Sequence, residues 1–312
     1  MGLYEEAIKC YDKVIELDPN IPEEWCIKCV ALRNLDRYEE AITCFDKSIE
    51  INPEFVRALG NKGDVLLFLG RYEEAIKCYN EALEIDANIP IVWCTKGLAF
   101  QNLLRYEEAI TCFDKSIEIN PKHFDAWYSK GLVFHIKGQY EEAIKCYNKV
   151  IEFDANIPEV WGHKGLAIQK LERYEEAIKC YDKIIEINPK LVTARSIKGD
   201  LLLFLGRYEE AIRCYDKVIE FDSNIPIVLC TKGLALQKLL RYEEAITYVD
   251  KVIEIDANIP EVWGSKGLAL QKLGRYEEAI TCFDKVIELQ PENADAWYSR
   301  GFALENLIGK KS

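Results

Sequence analysis

Histidine is scarce, apolar runs are short and basic residues are outnumbered, and each shortage removes a class of function. Only His123, His135 and His163 occur in 312 residues, and none stands at the spacing that a metal site or a histidine-activated nucleophile requires. No run of eighteen apolar residues exists, so no bilayer-spanning helix is expected. Met1 to Glu6 lack the basic and then apolar layout of a secretion signal. A soluble, cytoplasmic protein is the expectation. Lys and Arg number 40 against 53 Asp and Glu, a formal net charge of -13, which repels phosphate backbones and anionic lipid heads. Nucleic acid and membrane are not expected as partners, which leaves a protein or peptide. No glycine-rich phosphate loop is found either. The sole Cys-x-x-Cys, Cys26 to Cys29, has no second pair to complete the four ligands of a structural zinc. The chain is expected to be no enzyme and to hold no metal or cofactor.

What the sequence does have is a repeat. Tyr-Glu-Glu-Ala-Ile begins at Tyr4, Tyr38, Tyr72, Tyr106, Tyr140, Tyr174, Tyr208, Tyr242 and Tyr276, nine copies 34 residues apart without an insertion. Counted from sixteen residues before each tyrosine, units begin at Pro22, Val56, Pro90, Phe124, Pro158, Val192, Pro226, Pro260 and Ala294. All ten prolines lie at the junctions, where proline ends one helix or opens the next. In Pro158 to Leu191, helical spacing joins Trp161, Gly165 and Ile168 and, after a break near Glu172 and Arg173, Ala177, Tyr181 and Ile184. Each unit therefore reads as two helices, A then B. The paired glutamates fall in the first turn of helix B, where they suit its dipole, and Glu175 is one turn from Lys179. Nine such pairs on helix starts read as a solvated face, because catalytic carboxylates need a shared, desolvated pocket.

Eight of the twelve cysteines, Cys10, Cys44, Cys78, Cys112, Cys146, Cys180, Cys214 and Cys282, mark one repeat position. Equivalent positions of stacked helices lie roughly 10 Å apart, beyond the about 7 Å between Cα atoms that a disulfide allows, so reduced core fillers are expected. A second period lies within the first. Residues opening helix B alternate between Gly2, Gly70, Gly138, Gly206 and Gly274 and the non-glycines Asp36, Leu104, Glu172 and Leu240, which makes a building block of 68 residues.

These residues resemble the tetratricopeptide repeat family along the whole chain. Trp25, Trp93, Trp127, Trp161, Trp263 and Trp297 match its tryptophan, eight glycines from Gly63 to Gly301 its glycine, and the helix B alanine recurs in all nine copies. The aromatic after that alanine runs from Tyr11 to Phe283 and lapses at Val249. Leu59, Arg195 and Leu229 depart from the tryptophan and Cys29 from the first glycine. A basic residue, from Lys28 to Lys266 and then Arg300, replaces the family's leucine, and its ammonium is expected to reach an acid of the preceding unit. The resemblance implies an all-α solenoid, a right-handed superhelix in a single domain over 1–312: a lone helix B in 1–21, eight full units in 22–293 and a terminal helix A in 294–312. It also implies a protein-interaction scaffold whose A helices line a concave groove for a peptide.

The groove face of helix A then carries Glu159, Gly162, His163, Leu166, Gln169 and Lys170. Earlier units give Ile91, Cys94, Thr95, Leu98, Gln101 and Asn102, then Asp125, Tyr128, Ser129, Leu132 and His135. Later ones give Ile227, Cys230, Thr231, Leu234 and Gln237, then Gly264, Ser265, Leu268 and Gln271. Leu98, Leu132, Leu166, Leu234 and Leu268 form an apolar row, extended by Val30 and Phe302, which either a partner or the neighbouring A helices cover. Chaperone-binding members clamp a terminal carboxylate with Lys, Asn and Arg; Cys26, Val30, Ile91 and Thr95 at the needed positions speak against that ligand. Alternatively, the unpaired terminal helices stack head to tail between copies, giving a self-assembling structural element. A regulatory part of an enzyme has less in its favour.

Overall fold

Proline decides where five of the helices begin. Pro22, Pro90, Pro158, Pro226 and Pro260 each occupy the first helical position, where the missing N–H leaves no bond unmade. The computed structural model describes residues 2–311, and every regular element among them is α-helical.

Residues group into two units, Met1–Asn156 and Ile157–Ser312. The first holds α1 (Gly2–Leu17), α2 (Pro22–Arg33), α3 (Tyr38–Ile51), α4 (Val56–Phe68), α5 (Tyr72–Ile85), α6 (Pro90–Asn102), α7 (Tyr106–Ile119), α8 (Phe124–Ile136) and α9 (Tyr140–Phe153). The second holds α10 (Pro158–Lys170), α11 (Tyr174–Ile187), α12 (Val192–Phe204), α13 (Tyr208–Ile219), α14 (Pro226–Lys238), α15 (Tyr242–Ile255), α16 (Pro260–Lys272), α17 (Tyr276–Leu289) and α18 (Ala294–Lys311). Even-numbered helices are the A type and odd-numbered ones the B type. Within each unit every helix packs on its chain neighbours, and most A helices also touch the next A helix, as α4 touches α2 and α6, and α14 touches α12 and α16.

The closest contact joins the two helices of a hairpin. A Cβ added to Gly63 of α4 would lie 2.5 Å from Tyr79 of α5, and one on Gly97 of α6 would lie 2.6 Å from Phe113 of α7. The aromatic rings fill these spaces and are fully buried, as are the B-helix alanines from Ala41 to Ala279. Each such ring contributes about 2–3 kcal/mol through burial.

Other repeated bonds fix the hairpins' ends. The tryptophan Nε1 of Trp25, Trp93 and Trp263 donates to the carbonyl oxygen six residues back, at 2.9, 2.9 and 2.8 Å. Arg195, which departs from tryptophan, donates through its guanidinium to the carbonyl of Pro189 and so keeps the same link. Leu59 and Leu229 simply fill the space and are buried. Ser48 and Ser116 are buried on B helices and donate at 2.7 Å to the carbonyls of Pro22 and Pro90.

In most copies the basic residue before the glycine does reach an acid of the preceding repeat. Lys28 pairs with Asp12 at 2.5 Å, Lys62 with Asp46 at 2.5 Å, Lys266 with Asp250 at 2.6 Å and Arg300 with Asp284 at 2.5 Å. Sixteen residues before Lys96 stands Asn80, and that lysine lies instead over the Trp93 ring, 4.9 Å from its centroid. Lys232 is buried, pairs with Asp216 and donates at 2.6 Å to the Tyr248 hydroxyl. Tyr248 takes the position held elsewhere by cysteine, beside the lapsed aromatic at Val249. The glutamate pairs behave differently from the expectation. Glu175 reaches Arg207 of the next hairpin at 2.9 Å and not Lys179, while Glu176 takes Arg173 at 2.7 Å. The long arginine spans one hairpin to the next, where a lysine on the same helix offers only an exposed local pair.

All twelve cysteines are free, but the expectation of core fillers fails at Cys10, which is exposed, and is only partly met at Cys214. Cys10 lies on α1, which has one packed neighbour, α2.

The 68-residue alternation has a backbone counterpart. Gly70, Gly138, Gly206 and Gly274 have φ of 71–75°, and Asp36, Leu104, Glu172 and Leu240 adopt the same left-handed conformation at 59–61°. These residues close helix A. In the turn after α6, Leu104 N–H donates to Gln101 and Arg105 N–H to Phe100, the bonds of a Schellman end. Leu104 and Leu240 are largely exposed, so their side chains gain little for a conformation that costs about 1–2 kcal/mol in a residue with a Cβ. Glycine there relieves that strain and loses about 0.5–1 kcal/mol in unfolded-state freedom. Leu104→Gly and Leu240→Gly should each stabilise the chain by roughly 0.5–1 kcal/mol, read as a higher urea midpoint. Gly70→Ala should move it the other way.

Candidate functional site

The face of the A helices turned away from the B helices is where the sequence places the contact residues. In the first unit, Ile91 on α6 is exposed, Thr95, Leu98 and Gln101 are half-buried and Asn102 is exposed. The Thr95 hydroxyl donates to its own helix at Ile91, and the Asn102 amide to Leu98. On α8, Tyr128 stacks on Phe124 with ring centroids 6.0 Å apart, Leu132 is half-buried, and His135 meets Tyr140 edge-on at 5.2 Å. Asp125 is exposed. Two expected members do not belong to the surface: Cys94 is 1% exposed and Ser129 6%. Both are small side chains on A helices that pack on one another, α6 with α4 and with α8.

In the second unit, α10 carries Gly162, His163 and Gln169, half-buried, and Leu166 and Lys170, exposed. On α14, Cys230 and Thr231 are half-buried and Ile227 and Leu234 exposed; on α16, Leu268 is exposed and Gln271 half-buried. Gln237 and Ser265 are engaged with each other, the Gln237 amide donating to the Ser265 hydroxyl at 2.8 Å and its carbonyl at 3.1 Å. They tie α14 to α16.

The leucine row divides between its two readings. Leu98, Leu132 and Val30 are half-covered by neighbours, whereas Leu166, Leu234 and Leu268 stay 40%, 43% and 47% exposed and Phe302 is exposed too. Carboxylates interrupt the row. Asp64 and Asp200 stand in the register of these leucines, and the hydroxyls of Tyr79 and Tyr215 donate to them at 2.8 Å each. The 34-residue count alone would have found them. Asp64 borders a hollow of about 360 Å3 between α4 and α6, with Arg57, Gly60, Ile91 and Thr95 on its walls. Burial pushes the Asp64 carboxyl above its usual range, against the Tyr79 hydrogen bond and the nearby Arg33, which lower it.

Side chains of catalytic type are engaged in packing. Cys29 donates its thiol to the Trp25 carbonyl at 2.7 Å, and burial pushes the thiols of Cys26 and Cys29 up. His123 lies 2.9 Å, Nδ1 to Oγ, from Ser116, and burial holds its pKa below the usual value. Among the described residues, no three His, Cys, Asp or Glu gather as metal ligands, and no helix is long and apolar enough to cross a membrane.

Comparison with known families agrees with the repeat. A model described as "Tetratricopeptide repeat" matches residues 22–55, 56–89, 90–123, 124–156 and 158–191. A related one with the same description matches 1–21 and 227–259, and one described as "TPR repeat" matches 199–239 and 267–307. Curated proteins give no match. Among solved structures, the C-terminal part of a TPR repeat-containing protein from Cytophaga hutchinsonii is 20% identical with a TM-score of 0.65, covering 77% of this chain and 98% of that one. A tetratricopeptide repeat protein from Parabacteroides merdae is 17% identical, TM-score 0.52, over 80% and 98%. YrrB, "a TPR protein with an unusual peptide-binding site", is 22% identical, TM-score 0.50, over 59% and 95%. At these identities the likeness is one of fold.

Asp64→Asn keeps an oxygen for the Tyr79 hydroxyl and removes the buried charge. A carboxyl whose folded pKa is raised destabilises the fold above that pKa and has no effect below its unfolded value near 3.8. The variant should therefore have the higher urea midpoint at pH 7, with the difference shrinking to nothing as pH falls below 3.8.

Proposed function

Because the chain belongs to the tetratricopeptide repeat family, we propose that it is a protein-interaction scaffold which holds a peptide or protein segment against the exposed face of its A helices. The exposure of Leu166, Leu234 and Leu268 carries this reading. Leucines of the same helices that serve the fold, Leu236 and Leu270, are 1% exposed, so three leucines at one register remain in water where packing had room to enclose them. Repeated apolar side chains of that kind mark contact surfaces. The peptide-binding description of YrrB supports the same use of the fold. The acid pairs of the B helices support a non-catalytic reading, since Glu175 and Glu176 lie in exposed ion pairs and share no pocket.

A second reading, self-association through terminal helices, is favoured by α18, where Trp297 and Tyr298 are exposed, and by α1, where Leu3 and Leu17 are. For the 312-residue chain it predicts a sedimentation mass that grows with concentration and returns to monomer in Tyr298→Glu; a constant monomer mass rejects it.

For the first reading, proteins retained by the immobilised chain are identified and their affinity for variants compared. Leu166→Glu, Leu234→Glu and Leu268→Glu should each weaken the complex at least tenfold, about 1.4 kcal/mol, with thermal unfolding little changed because the sites are exposed. If affinity instead falls only when Glu175 and Glu176 are changed, the contact lies on the B helices and the reading is wrong.

A further inference from the structure

At the position after the tryptophan, three A helices contain a glycine that neither the backbone nor the packing requires. After the tryptophan position the units carry Cys26, Gly60, Cys94, Tyr128, Gly162, Ser196, Cys230, Gly264 and Tyr298. Glycine inside a helix costs about 1 kcal/mol relative to alanine. At Gly162 a Cβ would meet only Ile184, at 3.9 Å, and at Gly264 only Val286, at 4.0 Å. These are ordinary contacts, unlike the clash that holds Gly63 against Tyr79. Neither glycine has a positive φ.

What the missing side chain leaves is space. Cys26 and Cys94 at the same position are buried and occupy it. Beside Gly162 there is a hollow of about 190 Å3 between α10 and α12, walled by Leu166, Ile184 and Ile197. Beside Gly264 there is one of about 150 Å3 between α16 and α18, walled by Leu268 and Val286. Both fall below the roughly 300–1,000 Å3 of small-molecule sites and suit a side chain. Both are also acidic. Glu159 is the only charged residue lining the first, and Glu261 and Asp295 are the only ones lining the second. Lys164 and Lys266, two residues on, lie over the Trp161 and Trp263 rings and line neither hollow; the next cations toward the far end of these helices, Lys170 and Lys272, stand eight residues on, about 12 Å along the axis at 1.5 Å per residue. The hollow at Gly60 is different, since Arg57 and Asp64 bring both signs to it.

We propose that the hollows at Gly162 and Gly264 each receive an apolar side chain of a bound peptide whose adjacent residue is Lys or Arg, held by Glu159 in one case and by Glu261 and Asp295 in the other. The proposal rests on the A-helix reading above and names the class of partner: a basic, apolar peptide segment. The overall charge of -13 favours the same ligand.

The test uses the full chain and a phage-displayed library of random dodecapeptides, followed by the best-enriched peptide made synthetically and measured by fluorescence polarisation. Enriched peptides should place a large aliphatic or aromatic residue beside Lys or Arg. Gly162→Leu with Gly264→Leu should weaken the synthetic peptide at least tenfold. Gly162→Ala with Gly264→Ala, which the backbone accommodates, should raise the thermal midpoint while also weakening binding, an effect that a mere packing defect would not produce. No enrichment, or enrichment of acidic peptides, overturns the proposal. Binding kept in the glycine variants but lost in Leu234→Glu, outside both hollows, overturns it and leaves the A-helix reading standing; binding kept in all of them overturns both.

Discussion

A tyrosine fits between helices A and B only because the residue facing it has no Cβ. The 2.5 Å that would separate a Cβ of Gly63 from Tyr79 is a measure of how near the two backbones come. That proximity permits a twelve- or thirteen-residue helix A to bury one side on its own helix B and another on the next hairpin, leaving the remainder free. Isolated helices of this length are marginal in water, so their order derives from these contacts with neighbours. Substitutions at the contact are matched locally: where Val249 replaces the aromatic, a Cβ added to Gly233 would lie 3.3 Å from it, and the adjacent Tyr248 brings its ring and hydroxyl to Lys232.

Polar links repeat with the same fidelity and adapt in the same way. Arg195 makes the carbonyl bond of a tryptophan, and Lys96 exchanges an aspartate for an indole face when Asn80 stands opposite in the repeat. Such exchanges keep the hairpin geometry constant while the A-helix surface varies from glycine to tyrosine at one position. The constant part is structural, and the variable part is where a binding preference resides.

The hairpins were legible in the sequence because their signals are local and recur along the chain: the proline at a helix start, the glycine opposite an aromatic, the basic residue one helix away from an aspartate. The contact surface was less legible. Helical spacing put Cys94 and Ser129 on the groove side, but how closely α6 approaches α4 and α8 is a tertiary matter, and it buries both. Gln237 and Ser265 likewise looked available and are bonded across two helices. Asp64 and Asp200 stand in the 34-residue register of the leucines and are legible by that count alone. The left-handed backbone at Leu104 and Leu240 left no trace in residue type, since leucine gives no warning of it; only its alternation with glycine did.

The column of cysteines along the B helices has a use for the experimenter that its chemistry does not suggest. Cys44, Cys78 and Cys112 are each buried in a different hairpin of the first unit, while Cys10 lies open. A soluble alkylating reagent meets Cys10 at once and the others only when their own hairpin loosens. The order in which masses increase would then map, thiol by thiol, which part of the array breathes first.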